Sequence, residues 1–235
     1  MKGSSVIFTF KTKKGGTMKK FRRRLLLKPA IIAWSIAVII CLSFPSAFAQ
    51  TIVDEWNAVK VPPAPELKPV TIDPKKTALL MLDFNKQVCN AERRPRCIAS
   101  ILKVRKLLAE ARAKGVYVIY SITFGATAAD IAKELAPLGG EPVVVSGPDK
   151  FMGTDLEKIL REKGIKTVIV VGTAAHGAVL YTASGAALRG IQVIVPVDGI
   201  SAEITYAEQY TTWHLVNAPR LSNLVTITRI DLTGY

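Results

Sequence analysis

Acidic residues are missing from residues 1–49 of this 235-residue chain, a stretch that holds ten basic side chains. That asymmetry explains most of the net charge of +14, because the remainder carries 22 basic against 18 acidic residues, an ordinary surplus for a globular surface. The basic balance therefore argues about delivery, and no nucleic-acid partner is expected. Histidine is scarcer still: after residue 49 only His176 and His214 remain, too few for a histidine-built metal centre, and no metal is expected. His214, beside Trp213, reads as a packing or surface residue. Glycine is present, but in neither Gly-x-Gly-x-x-Gly nor Gly-x-x-x-x-Gly-Lys-(Ser/Thr) spacing, so no nucleotide cofactor is expected. What is abundant is apolar: 49% of residues are hydrophobic, which excludes a disordered chain, and the length suits one domain or two small ones.

No apolar run reaches the roughly 20 residues that a membrane span needs. The longest, Ala30 to Leu42, follows a basic stretch from Lys19 to Lys28 and precedes Ala47-Phe48-Ala49, a small-x-small cleavage pattern. Residues 1–49 thus read as an export signal, with a retained anchor as the alternative and with membrane contact only through that signal. A start at Met18 would give a signal of more usual length. Arg22-Arg23-Arg24-Leu25-Leu26-Leu27-Lys28 fits a twin-arginine leader or an Arg-rich leader of the general route equally well. The expected location is periplasmic or secreted. There, with Cys41 removed, Cys89 and Cys97 read as a disulfide worth about 2–3 kcal/mol that stiffens the Arg93–Arg96 loop. A reactive Cys89 is the alternative.

Residues 50–76 read as an extended Pro-rich lead-in, with Val61-Pro62-Pro63-Ala64-Pro65 and Pro69 opposing helix. Residues 77–235 then alternate between strand and helix patterns. Strands are expected at Thr77–Phe84, Val116–Thr123, Pro142–Ser146, Thr167–Gly172, Gln192–Val197 and Asn223–Ile230. Helices are expected at Ala99–Lys114, Thr127–Leu138, from a Thr154-Asp155-Leu156-Glu157 cap to Gly164, at Gly177–Arg189 and at Thr205–Val216. Strands that are continuously apolar are covered on both faces, so the expected fold is a three-layer α/β/α domain on a six-stranded parallel sheet. Ligands of such sheets bind beyond the carboxyl ends of the strands, where the winding reverses.

Three unusual elements fall at those ends. Asp83 closes Ala78-Leu79-Leu80-Met81-Leu82, where a carboxylate must be desolvated; it is either a functional acid or a strand-edge Asp bonded to loop amides. Lys150 follows the third strand and, taken singly, would be a solvated lysine. Val171-Gly172-Thr173-Ala174-Ala175-His176-Gly177-Ala178-Val179 turns a strand into a helix through small residues, so that Ala174, Ala175, His176 and Gly177 could bring free N–H groups to a ligand. His176 at a helix start favours its neutral form, and is either a ligand contact or a loop-stabilising group. Phe84, Phe124 and Phe151 either line the pocket or pack the core.

In their order and context these elements resemble the isochorismatase-like (cysteine hydrolase) family, over roughly Thr77 to Ile230. Its members carry an Asp ending the first strand, a Lys after the third, and after the fourth a Gly-x-x-(Thr/Ser)-x-x-Cys-Val stretch leading into Thr-Ala, with a cis peptide before the helix. Leu82-Asp83-Phe84, Lys150 and Gly172–Val179 followed by Thr182-Ala183 match in turn, and Gly190 and Val193–Gly199 also fit. The resemblance implies a Rossmann-like hydrolase fold, a small-molecule substrate and self-association as a homo-oligomer. It departs where it matters most: the position of the nucleophilic Cys is Ala178. Losing a triad nucleophile typically costs about 10⁴–10⁶ in rate.

Two function classes follow. One is a hydrolase without a covalent step, similar to true isochorismatases, which also lack the Cys and use the strand-one Asp as an acid toward a vinyl ether; Lys150 would then bind a substrate carboxylate. For this, desolvation must raise Asp83 by roughly 3 pKa units from a starting value near 3.9. The other is a catalytically silent protein that holds a small polar ligand in the same pocket.

Overall fold

The computed structural model describes residues 51–235, so the expected export signal lies outside the described residues. Two compact units divide the chain, Met1–Lys60 and Val61–Tyr235. The described end of the first unit is not fully extended: a helical turn α1 (Ile52–Glu55) forms because Thr51 and Asp54 cap it, with Thr51 N donating to Asp54 Oδ2 at 2.9 Å. None of the described helices is long and apolar enough to cross a membrane.

In the second unit the chain runs β1 (Val70–Thr71), β2 (Thr77–Leu82), α2 (Pro95–Ala113), β3 (Tyr117–Ile122), β4 (Val143–Val145), α3 (Leu156–Glu162), β5 (Thr167–Thr173), α4 (Leu180–Leu188), β6 (Gln192–Pro196), β7 (Ile200–Ser201), α5 (Thr205–Asn217), β8 (Val225–Thr228) and β9 (Thr233–Gly234). The main sheet is parallel, in the order β4-β3-β2-β5-β6-β8. It has seven strands, not six, because β7 adds two residues beside β5, pairing Gly172 with Ile200 and Thr173 with Ser201. Two residues carry no hydrophobic run for a sequence pattern to detect. The lead-in is also less free than expected: β1 pairs with β9, and Lys68 N donates to Ile227 O at 3.0 Å.

Every residue of β2 is buried, as continuous apolarity requires of a central strand. On one face its Leu79 and Met81 pack with Cys97, Ile101, Val104, Leu107, Leu108 and Ala111 of α2. On the other, Leu80 and Leu82 pack with residues of α3, α4 and α5, among them Leu160, Ala183 and Leu215. Pro95 starts α2 where a missing N–H costs nothing, and Gly115, at φ +76°, turns the chain out of it.

One expected helix is absent. Thr127–Leu138 instead forms two 3₁₀ turns, Ala128–Asp130 and Lys133–Leu135, because Ile131 between them is extended and bridges to Asn85, with Ala132 N donating to Phe84 O at 3.0 Å. The helix expected from Gly177 begins as a π-helical turn, Ala175–Val179, before α4 proper. Asp155, not Thr154, precedes α3, and the Thr154 hydroxyl instead donates to Lys150 O.

Candidate functional site

The strand order reverses between β2 and β5, which run side by side with Leu82 opposite Gly172. Gly172 is required there: its φ is +142°, and a Cβ would sit 2.1 Å from the Leu82 carbonyl oxygen. This tight seam delivers two chain ends to one place. From β2 emerges Asp83, in the left-handed region at φ +55°, an uncommon conformation that Asp tolerates better than most residues. From β5 emerges the Thr173–Ala174 cis peptide, followed by the turn that carries Ala178.

Asp83 and Lys150, 67 residues apart, meet here: Lys150 Nζ donates to Asp83 Oδ2 at 2.7 Å and to Gly147 O at 2.8 Å. Lys150 is wholly buried and Asp83 is 4% exposed. The other carboxylate oxygen, Oδ1, accepts from Ser121 Oγ at 2.8 Å. Burial holds the Asp83 carboxyl above the usual carboxylate range; the charge and hydrogen bond of Lys150, then Ser121 and the charge of Arg94, pull it down without cancelling that rise. The backbone N of Lys150 contacts Thr182 Oγ1 at 3.3 Å, and Thr182 lies four residues after Ala178 on the same helical face. The acid, the ammonium and the helix mouth are thus joined through one chain of contacts.

Ala175 and Ala178 are buried, Ala174 and Gly177 half-buried, and His176 is exposed. Cys89 and Cys97 are joined, Cα to Cα 5.5 Å, so the described residues contain no free thiol. Phe84 and Phe151 take core positions, with Phe84 packed among Cys89, Cys97 and Ile101, whereas Phe124 is exposed and lies near Gly147. Among the described residues no three His, Cys, Asp or Glu side chains cluster as metal ligands would.

Four neighbours escaped the sequence reading. Ser121 bonds Asp83. Ser201, in β7, keeps a buried hydroxyl without a partner among the described residues. Arg94 is buried and reaches Glu203, with Nε donating to Oε1 at 2.8 Å and Nη2 lying 2.6 Å from the same oxygen in an ion pair, while Nη1 donates to Val88 O at 3.2 Å. Hydrogen bonding from Arg94, with the charges of Arg94 and His176 adding, holds the Glu203 carboxyl below its usual range. The one signal for Arg94 was its place inside a short Cys-bounded loop; Ser121, Ser201 and Glu203 gave none.

Residues 77–228 match the isochorismatase domain family. A secreted isochorismatase effector, Isc1 of Verticillium dahliae, is 42% identical over 79 residues, which span 33% of this chain and 42% of that protein. Among solved structures, a cysteine hydrolase from Pseudomonas syringae superposes with a TM-score of 0.61 at 20% identity, covering 72% of this chain and 95% of its own. N-carbamoylsarcosine amidase from Thermoplasma acidophilum gives 0.58 at 24% identity, over 66% and 97%. These two likenesses speak for the fold.

Proposed function

This chain belongs to the isochorismatase family, and we propose that it is an exported hydrolase of a small polar molecule that works without a covalent enzyme intermediate. One observation carries the reading: a carboxyl held by burial above the usual carboxylate range, Asp83, sits at the switch point beside a turn whose side chain at 178 is a methyl group. A methyl cannot attack, but a protonated acid can give up its proton. Toward an enol ether, Asp83 donates that proton to carbon as the double-bond electrons form the new C–H bond. The ether oxygen shares the resulting positive charge with the carbon it is bonded to, and water adds to that carbon. The water's proton returns to the carboxylate, and the hemiketal's C–OR bond then breaks as its remaining O–H proton passes to the leaving oxygen, giving a carbonyl and an alcohol. Lys150 stabilises the Asp83 carboxylate left after proton donation, and the backbone from Ala174 to Ala178 orients the ligand.

Export is supported by the leader-like first 49 residues and by the secreted relative from Verticillium. N-terminal sequencing of exported protein is expected to begin at Gln50; an intact leader would refute cleavage. The second reading, a ligand-binding protein without turnover, is favoured by Ala178 together with the paired cysteines.

Enol ethers, carbamoyl acids and small amides, each scored for product and for melting shift, separate the two. Product from wild type that falls about 10²–10⁴-fold in Asp83→Asn supports the hydrolase. An unchanged rate in that variant removes Asp83 from the chemistry, and melting shifts without product establish the binder.

A further inference from the structure

Lys150 is poorly placed to hold a ligand's charge. It has no exposure, and two of its three N–H donors go to Asp83 and Gly147. Whatever selects ligand charge must be another group, and the loops after β2 and β7, beside Asp83, supply one. Arg94 lies inside the loop closed by Cys89 and Cys97, and that loop is further pinned by Cys89 N to Asn85 O at 2.9 Å and Arg94 N to Asn90 O at 2.8 Å. Its guanidinium carries five donors. Nε donates to Glu203 and Nη1 to Val88 O, while Nη2 makes only an ion-pair contact with the same Glu203 oxygen, so the guanidinium keeps N–H groups that make no hydrogen bond among the described residues.

Charge counting points the same way. Lys150 is paired with Asp83, and Arg96 with Glu208, so neither cation is left over. Glu203 is shared between two guanidiniums, Arg94 at 2.6 Å and Arg93 at 3.5 Å, leaving a surplus of one positive charge. Arg94 is the buried member of that pair, and its charge is felt at Asp83. A buried, preorganised guanidinium with parallel N–H groups unspent suits a carboxylate better than any other small group.

We propose that Arg94, clamped between the disulfide loop and Glu203, is the residue that selects anionic ligands, its free N–H groups receiving the carboxylate of a small acid in the cleft. This rests on the cleft being the ligand site, not on turnover.

The test uses three acid and amide pairs of matched shape: acetate and acetamide, benzoate and benzamide, succinate and succinamide. Wild-type protein is expected to bind at least one acid tenfold or more tighter than its amide, by calorimetry and melting shift. Arg94→Gln should weaken that acid at least tenfold and leave the amide within twofold, with Arg94→Lys intermediate. Glu203→Gln, which enlarges the positive surplus, should tighten the acid several-fold and serves if Arg94→Gln fails to fold. Asp83→Asn should retain the preference for acids, so loss of turnover and loss of charge selection are read separately. The proposal is overturned if no acid exceeds its amide in wild type, if acid and amide weaken together in Arg94→Gln, or if Glu203→Gln weakens the acid.

Discussion

Two charged contacts in this molecule look alike on paper and are built to different ends. At the far end of α2, Arg112 grips Glu141 with two hydrogen bonds, Nε at 2.9 Å and Nη2 at 2.7 Å, and also bonds Tyr120 Oη and the carbonyl of Ala136. Both Glu141 oxygens are engaged by Nε and Nη2, the pair keeps some solvent, and the guanidinium is held still more firmly charged by Glu141. At the carboxyl end of the sheet, Asp83 and Lys150 make a single contact with almost no solvent, and burial pushes the acid toward its neutral form. The difference teaches how to tell a fastening from a reagent: a satisfied bidentate pair has nothing left to give, whereas a desolvated acid has a proton in play.

The comparison can be broken most severely at Asp83. Asp83→Asn leaves the Lys150 ammonium buried without a counter-charge and should destabilise by about 3–5 kcal/mol in urea unfolding. Adding Lys150→Met should recover part of that loss; a double variant as unstable as the sum of the singles would show that the pair is not coupled. Next in size, Gly172→Ala drives a Cβ against the Leu82 carbonyl at the seam that positions the acid, an expected loss of about 2–4 kcal/mol together with turnover. Arg112→Ala should cost about 1.5–3 kcal/mol in thermal or urea unfolding, yet leave the pH profile of any turnover where it was. A moved profile would mean that this contact is not purely a fastening.

The smallest effect is the sharpest. Catalysis by protonated Asp83 should fall as pH rises through its raised pKa. Lys150→Met, by removing the strongest downward pull, should move that alkaline limb to higher pH. The sign in stability is opposite to that of an ordinary ion-paired carboxylate. The folded state holds the Asp83 proton to higher pH than the unfolded chain does, so this group's contribution to stability is greatest in acid and declines as pH rises from the unfolded pKa through the raised folded one. Asp130, whose carboxyl is drawn down first by Lys86 and then by Thr127, behaves the other way and loses its contribution in acid. Unfolding midpoints of Asp83→Asn against wild type across pH 4–8 would check the first sign.

Much of the frame was legible because it is local. The unbroken apolar run of β2 announced a central strand, and Gly115, Gly164 and Gly190 marked where helices stop. Asp83 was conspicuous as a lone carboxylate after that run, and Lys150 acquired meaning beside it. What stayed hidden depends on distant partners. The Thr127–Leu138 segment has helix-compatible residues, but Ile131 is drawn into extended backbone by its bridge to Asn85, and Ala132 bonds Phe84, both partners distant in sequence. Nothing in Ile200–Ser201 foretells that it extends the sheet; its register is set by Gly172 and Thr173. Arg94 and Glu203, 109 residues apart, become partners only when the loops after β2 and β7 reach the same rim.

The bridge between Cys89 and Cys97 has a practical corollary. Two batches of identical polypeptide, one matured where thiols are oxidised and one harvested from a reducing cytosol, share their sheet but differ in how firmly the loop carrying Arg94 is tied. Their kinetics are comparable only once a thiol titration shows the same number of free sulfhydryls per molecule.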